Sequence, residues 1–325
     1  MGHRDASRDP LELCGCTIAA RYAVTEMVAS DDRSISYRGV HAELGVPIAL
    51  KCLKSPRELD PEERESLFAR LRAEARILHA LSGLTSGIVR LLDVGDMTTP
   101  RGLWVPYMVL EWLEGETLSD HLRDRVERGA PRMRLSEAVE LLEPAARALG
   151  VAHRHRPAVA NRAVKPDNLF LTHVGGRPVL KVLDFGNAKT MADPSYAAAQ
   201  NATWGHPSAF TPSYGAPEQF NKRRGPTGTW TDVFALALIL VEVVSGERAL
   251  DGDDPTQLYI AAADPAARPT LRQRGIETSD RVEGVLQKAL AIDPRERYPD
   301  ADTFWDSLHD AMTGRGRPSP LVGKS

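Results

Sequence analysis

Residues 161–171 read NRAVKPDNLFL. Lys165, Pro166 and Asn168 stand where a phosphate-handling, metal-binding loop would place them. Position 163, where such a loop would hold a carboxylate, carries Ala163, whose side chain has no proton acceptor. The stretch poses a choice between an enzyme without its base and a protein that uses the same frame for something else.

The chain divides in two well ahead of this loop. Between residues 18 and 110 the runs RYAVTEMVA, SISYRGVHA and VPIALKCLK are short, rich in Val and Ile, and bounded by Gly, Pro or Asp, which predicts a small antiparallel sheet. One helix follows SPRELDPEER, and IVRLLDVGDM and LWVPYMVLEWL then return to strand character. EWLEGE is the predicted hinge, about residues 111–115. From Glu116 to about residue 311 helices dominate: LSEAVELLEPAARALGVAHRH is apolar at helical spacing, with Ser136 placed as its cap. The apolar run 233–241, continuing past Glu242 to Val244, falls well short of the ~20 residues of a membrane helix and reads as a buried one. Residues 1–17 are expected to be a flexible lead-in, and the tail 312–325, rich in Gly, Pro and Ser without periodicity, to be disordered.

The predicted helix 61–81 carries a local contradiction. Leu67, Leu71, Leu78 and Leu81 form a buried stripe, and Glu74 falls on it. An unpaired buried carboxylate costs several kcal/mol, so a cation is expected opposite, and Lys51 in IALK is the candidate. The alternative is an amphipathic helix with Glu74 at the edge of its stripe.

Composition narrows the function. The 325 residues are 42% hydrophobic and 26% charged, ordinary for a globular chain, and 41 basic against 44 acidic residues give a net charge of -3. No global field points to nucleic acid or an anionic membrane. Cys14, Cys16 and Cys52 make no even disulfide framework and the start MGHRDASRDP has no apolar signal core, so a reducing cytoplasm is the expected location.

Taken in order, IALK, the inward Glu74, RAVKPDN, LDFG and GAPEQF resemble the Hanks-type serine/threonine protein kinases, bacterial members above all, over about residues 18–311. The resemblance implies an α+β, bilobal fold: a small antiparallel-sheet N-lobe with one key helix, about 18–110, and a larger, mainly helical C-lobe, about 116–311. It implies nucleotide contacts from Lys51, Glu74, Ala49, Glu111, Leu113 and Phe170, metal ligation by Asn168 and Asp184, and a γ-phosphate contact from Lys165. It also implies structural roles for Arg162, Asp232 and the pair Glu218 and Arg297.

Two departures stand against the chemistry. NRAVKPDN replaces H-R-D-x-K-P-x-N, so Asn161 stands for a histidine of the family's hydrophobic spine, shared with Phe185 and Leu78, and Ala163 for the catalytic base. Aligned on YRG, the three glycines of the phosphate loop become Ala29, Asp31 and Ser34, the valine over the base becomes Ser36, and Asp31 and Asp32 add negative charge. The expectation is a pseudokinase that binds a protein partner, an active kinase or a signalling protein, with no cofactor or weakly bound Mg-ATP, no nucleic acid and no membrane span. The alternative is residual phosphoryl or nucleotidyl transfer to protein. Thr203, Ser208, Thr211 and Ser213 are hydroxyls in the activation segment that another kinase could modify.

Overall fold

The computed structural model describes residues 9–31, 33–56, 59–185, 189–190 and 210–314. The chain forms two compact units, Met1–Glu114 and Gly115–Ser325.

The first unit is a six-stranded antiparallel sheet: β1 (Thr17–Ile18), β2 (Tyr22–Ser30), β3 (Ser34–His41), β4 (Pro47–Leu53), β5 (Leu91–Thr98) and β6 (Trp104–Glu111), in the order β1-β2-β3-β4-β6-β5. Helix α1 (Pro61–Ser82) packs on β5 and β6. Its start is set by Asp60, whose carboxylate accepts from Glu63 N at 2.8 Å while Glu63 Oε2 accepts from Asp60 N at 2.9 Å, with Pro61 in the first turn. Leu71, Ala75, Leu78 and Leu81 are its buried face; Leu67 and Glu74 are half-buried.

The other sheet face packs a hydrophobic core. Tyr22, Val24, Ile35, Tyr37, Ile48, Leu50, Cys52, Val105, Tyr107 and Val109 pack there with Leu11 and Leu13. The lead-in expected to be flexible is therefore structural from Asp9 onward: Leu13 is 0% exposed. Asp9 pins it, accepting from Tyr37 Oη at 2.5 Å, Leu11 N at 3.1 Å and Cys14 N at 2.8 Å. Burial pushes the Asp9 carboxyl up, but these donors outweigh it and hold the group below the ordinary range. Leu11 and Leu13 stand six and four residues ahead of Thr17, where β1 begins, and two leucines alone carry no periodicity, which is why a sequence reading passes over them.

The second unit holds two small sheets and its helices. Strands β7 (Gly115–Thr117), β9 (Leu169–Val174) and β10 (Arg177–Val182) form one sheet in the order β10-β9-β7, and β8 (Val159–Ala160) pairs with β11 (Lys189–Thr190). The helices are α2 (Leu118–Glu127), α3 (Leu135–Arg154), α4 (Pro217–Phe220), α5 (Thr229–Ser245), α6 (Pro255–Ala263), α7 (Asp280–Ala289) and α8 (Ala301–Thr313). Helix α5 is buried on nearly every side and packs against α3, α7 and α8. Its charged ends aside it is apolar all round, as a central helix must be. Helix α3 begins one residue before Ser136: Arg134 is the cap position, and its N–H donates to Glu137 Oε2 at 3.0 Å. Helix α8 carries order through Met312 and Thr313, two residues into the predicted tail, and ends on Gly314 at φ 71°. No helix among the described residues is long and apolar enough to cross a membrane.

Candidate functional site

The predicted site residues fall on both units, and each half is built separately. In the first unit Lys51 is central in β4, registered opposite Ser36 on β3 and Met108 on β6. Its neighbours Leu50 and Cys52 point into the core, so strand alternation turns Lys51 to the opposite sheet face, where Ala49 also points, registered opposite Arg38 and Leu110. Glu111 closes the sheet end: its N–H donates to Arg90 O at 3.0 Å and its Oε1 accepts from Arg90 N at 2.9 Å. Leu113 is half-buried beyond it. Beside these, Arg38 lies over the Trp112 ring at 4.8 Å, and Glu114 Oε1 accepts from both Arg38 Nη2 at 3.2 Å and Trp112 Nε1 at 2.7 Å.

The turn between β2 and β3 has the most specific polar geometry of this unit. Asp31 Oδ1 accepts from Arg33 N and Ser34 N, each at 2.7 Å, Asp31 Oδ2 accepts from Ser34 Oγ at 3.1 Å, and Asp31 N donates to Ser34 O at 3.0 Å. Lys54 Nζ donates to Asp31 O. Burial pushes the Asp31 carboxyl up, but these N–H and hydroxyl donors, with the positive field of Lys51, leave it below its ordinary value. Asp32 lies outside the described residues.

In the second unit the loop NRAVKPDN is hung from Asp232 at the head of α5. Asp232 Oδ2 accepts from Asn161 N at 2.7 Å and Oδ1 from Arg162 N at 2.7 Å. His153 Nδ1 accepts from Ala301 N at 3.1 Å, which puts the ring hydrogen on Nε2, and Nε2 donates to Asp232 Oδ2 at 3.0 Å. Arg162 has φ 65°, a left-handed conformation that costs ~1–3 kcal/mol for a non-glycine residue and persists where surroundings over-determine it. Here they do: its N–H is held by Asp232 and its C=O accepts from Gln219 Nε2 at 2.9 Å.

Asn161 is fully buried, and its amide is used at both ends: Nδ2 donates to Asp184 O at 2.5 Å and Oδ1 accepts from Ala163 N at 3.0 Å. The polar side chain is thus tied into the loop. Ala163 is itself buried, and its C=O accepts from Asn168 Nδ2 at 2.9 Å. That bond commits the nitrogen end of Asn168 and leaves Oδ1 as the atom suited to a cation. Lys165 Nζ is 3.9 Å from the exposed carboxylate of Asp167, while Asp184 and Phe170 are half-buried. Among the described residues no three His, Cys, Asp or Glu side chains cluster as a metal site would need. A magnesium ion held by one carboxylate, one amide and ligand phosphates needs no such cluster.

Behind this loop, Glu218 and Arg297 form a two-pronged ion pair, both side chains 0% exposed, at 2.8 Å for each Nη–Oε contact. Arg297 also donates to Ala291 O, Ile292 O and Trp230 O. Thr211 and Ser213 stand at the turn Pro212–Tyr214 just before α4; Thr203 and Ser208 lie outside the described residues. Glu242 on α5 and Tyr214 face one another, a pair the sequence reading passed over; burial pushes the carboxyl of Glu242 up, with Asp167 adding to the rise and Tyr214 and Arg248 opposing it. The only signal for it in the sequence is one acid inside an apolar helix, and for His153 one imidazole on a buried helix face.

Comparison with known proteins places the chain in a family. Residues 22–306 match the protein kinase domain. The chain is 30% identical to serine/threonine-protein kinase PknB of Mycobacterium tuberculosis over 306 residues, covering 94% of this chain and 45% of the relative. It is 30% identical to PknB of Mycolicibacterium smegmatis over 309 residues, and 30% identical to PknA of Mycobacterium tuberculosis over 310 residues, 64% of that protein. It therefore spans about half the length of PknB and under two thirds of PknA.

Proposed function

The chain belongs to the Hanks-type protein kinase family, and from that premise we propose that it is a pseudokinase, a kinase-fold module that regulates or scaffolds a protein partner. The observation that carries this reading is Ala163. Its N–H and C=O are both engaged by the loop's own amides, of Asn161 and Asn168, so the loop keeps its closed form with a methyl group at the base position. A general base contributes ~10²–10⁴-fold to transfer. Asp167 is the nearest carboxylate in sequence, but it is exposed and turned to Lys165.

Mg-ATP, the family's cofactor, fits one half of the residues and not the other. Asp184 and Asn168 would hold a magnesium ion through hard oxygens, and Lys51 would meet phosphate. A metal held there would supply neutralising charge to phosphate oxygens. The β2–β3 turn does not fit a triphosphate: it presents a carboxylate where bare glycine backbone would offer N–H donors. Weak nucleotide binding or none follows. A second reading, residual phosphoryl or nucleotidyl transfer to protein, draws its support from the retained Lys51, Asn168 and Asp184.

A protein partner is supported by the segment from Phe210 to Glu218, which keeps the family's peptide-docking pattern and rests on the buried Glu218–Arg297 pair. The partner is an active kinase or another signalling protein. The test compares Ala163→Asp with the same change plus glycine at positions 29, 31 and 34, each assayed for phosphate transfer to a generic protein. The single change is expected to leave turnover near background, because positioning supplies much of the acceleration. Ordinary kinase turnover from Ala163→Asp alone would overturn the reading.

A further inference from the structure

Two consecutive main-chain N–H groups converging on one acceptor form a nest, the arrangement by which loops bind phosphate. At the β2–β3 turn the N–H groups of Arg33 and Ser34 converge in this way, and the acceptor is the chain's own Asp31 Oδ1 at 2.7 Å from each nitrogen. The Ser34 hydroxyl adds a third donor to Asp31 Oδ2 at 3.1 Å, and the nearby ammonium of Lys54 is spent on Asp31 O. Among the described residues of the turn, the main-chain N–H groups of Arg33 and Ser34 and the Ser34 hydroxyl are already used by Asp31.

The register places the filled nest on the sheet face of Lys51. Ser34 is opposite Leu53 and Ser36 opposite Lys51, so Ser34, Ser36, Leu53 and Lys51 share one sheet face, and the Asp31 carboxylate is tied to the Ser34 end of it. Lys51 is close enough to stabilise the Asp31 anion. A ligand phosphate arriving at Lys51 would find a carboxylate competing for the same field and the N–H groups of Arg33 and Ser34 already taken.

We propose that Asp31 is a built-in substitute for a ligand phosphate and the specificity-determining residue of this half-site, which takes a nucleoside without phosphates in preference to a nucleotide. The inference rests on the reading above that the Lys51 face descends from a nucleotide site. It goes further in naming the ligand class and the residue that sets it.

The experiment is calorimetry of the full chain with adenosine, AMP, ADP and ATP, with and without Mg²⁺, and with inorganic tripolyphosphate, on the wild type, Asp31→Asn and Asp31→Gly. In the wild type adenosine is expected to bind, and each added phosphate to leave affinity unchanged or lower it. Asp31→Gly, which empties the nest, is expected to tighten ADP and tripolyphosphate at least ten-fold with adenosine within two-fold. Asp31→Asn, which removes the charge but keeps an acceptor for both N–H groups, guards against a folding defect and is expected to give a smaller gain of the same sign. Wild-type ATP binding ten-fold tighter than adenosine, no adenosine binding at millimolar concentration, or an unchanged order in both variants would each overturn the proposal. Phosphate transfer by Asp31→Gly would overturn the pseudokinase reading and leave this one standing; an unchanged order with no transfer would do the reverse.

Discussion

Replacing Arg297 by methionine tests how the second unit holds its loop segment. The change keeps much of the side chain's apolar volume and removes its charge and all its donors. Among the described residues Glu218 would then keep the Thr231 hydroxyl at 2.8 Å, in a site where it is 0% exposed. Three carbonyls, of Ala291, Ile292 and Trp230, would lose a donor as well. Breaking a buried pair by removing one partner costs ~3–5 kcal/mol, because the remaining charge is left uncompensated. One term opposes this. Arg268 sits 5.8 Å from the Phe234 ring that Arg297 approaches at 4.7 Å, and burial together with the Arg297 charge brings its pKa down to about 10. Losing Arg297 relieves that repulsion and trims the cost without reversing it. For a unit of this size each kcal/mol is roughly 2–4 °C, so the melting temperature should fall by roughly 6–20 °C. The assay is thermal and urea unfolding of Arg297→Met, Glu218→Gln and the double variant. The double variant should cost less than the sum of the two by at least ~1 kcal/mol, since it removes both charges together. A loss below ~1 kcal/mol for Arg297→Met, or strict additivity, would refute the reasoning.

Other consequences follow from particular residues. Glu242 has a folded-state pKa raised above its ordinary 4.5 by burial, so the folded form holds a proton the unfolded form has lost, and stability should fall as pH rises from about 4.5 through the raised value. Glu242→Gln should flatten that slope in urea unfolding at stepped pH; an unchanged slope would count against it. Leu13→Ala removes a fully buried side chain from the lead-in and should cost ~2–5 kcal/mol, read by unfolding, whereas a cost near zero would return the lead-in to a flexible role. Lys51→Met and Glu74→Gln should be coupled in a double-mutant cycle by ~1 kcal/mol, discounted because both are half-buried; full additivity would leave Glu74 an edge residue of its helix stripe.

How far the sequence could be read depended on the range of the interactions involved. Strands β2 to β6 and helices α1 and α5 follow from local alternation and periodicity, and the site motifs from residues adjacent in the chain. The lead-in did not, because Leu11 and Leu13 are buried by strands far from them in sequence and Asp9 meets Tyr37 across 28 positions. Asn161 reads as a loosened packing residue until its amide is seen joining Asp184 and Ala163. Ser136 has the chemistry of a helix cap, yet α3 starts at Leu135 and its cap is Arg134, which is paired with Glu137. Asp31 was legible as a charge in the wrong place; that its carboxylate fills a nest of the turn's own N–H groups is a matter of backbone geometry.

On the reading proposed above, this kinase fold does not transfer phosphate. The most direct test of that reading is intact-mass spectrometry of the protein after incubation with Mg²⁺ and ATP, alone and with a generic protein substrate. The account predicts no added phosphate and no added adenylate on either protein. Phosphate or adenylate on either one, lost on Asp184→Ala, would contradict it.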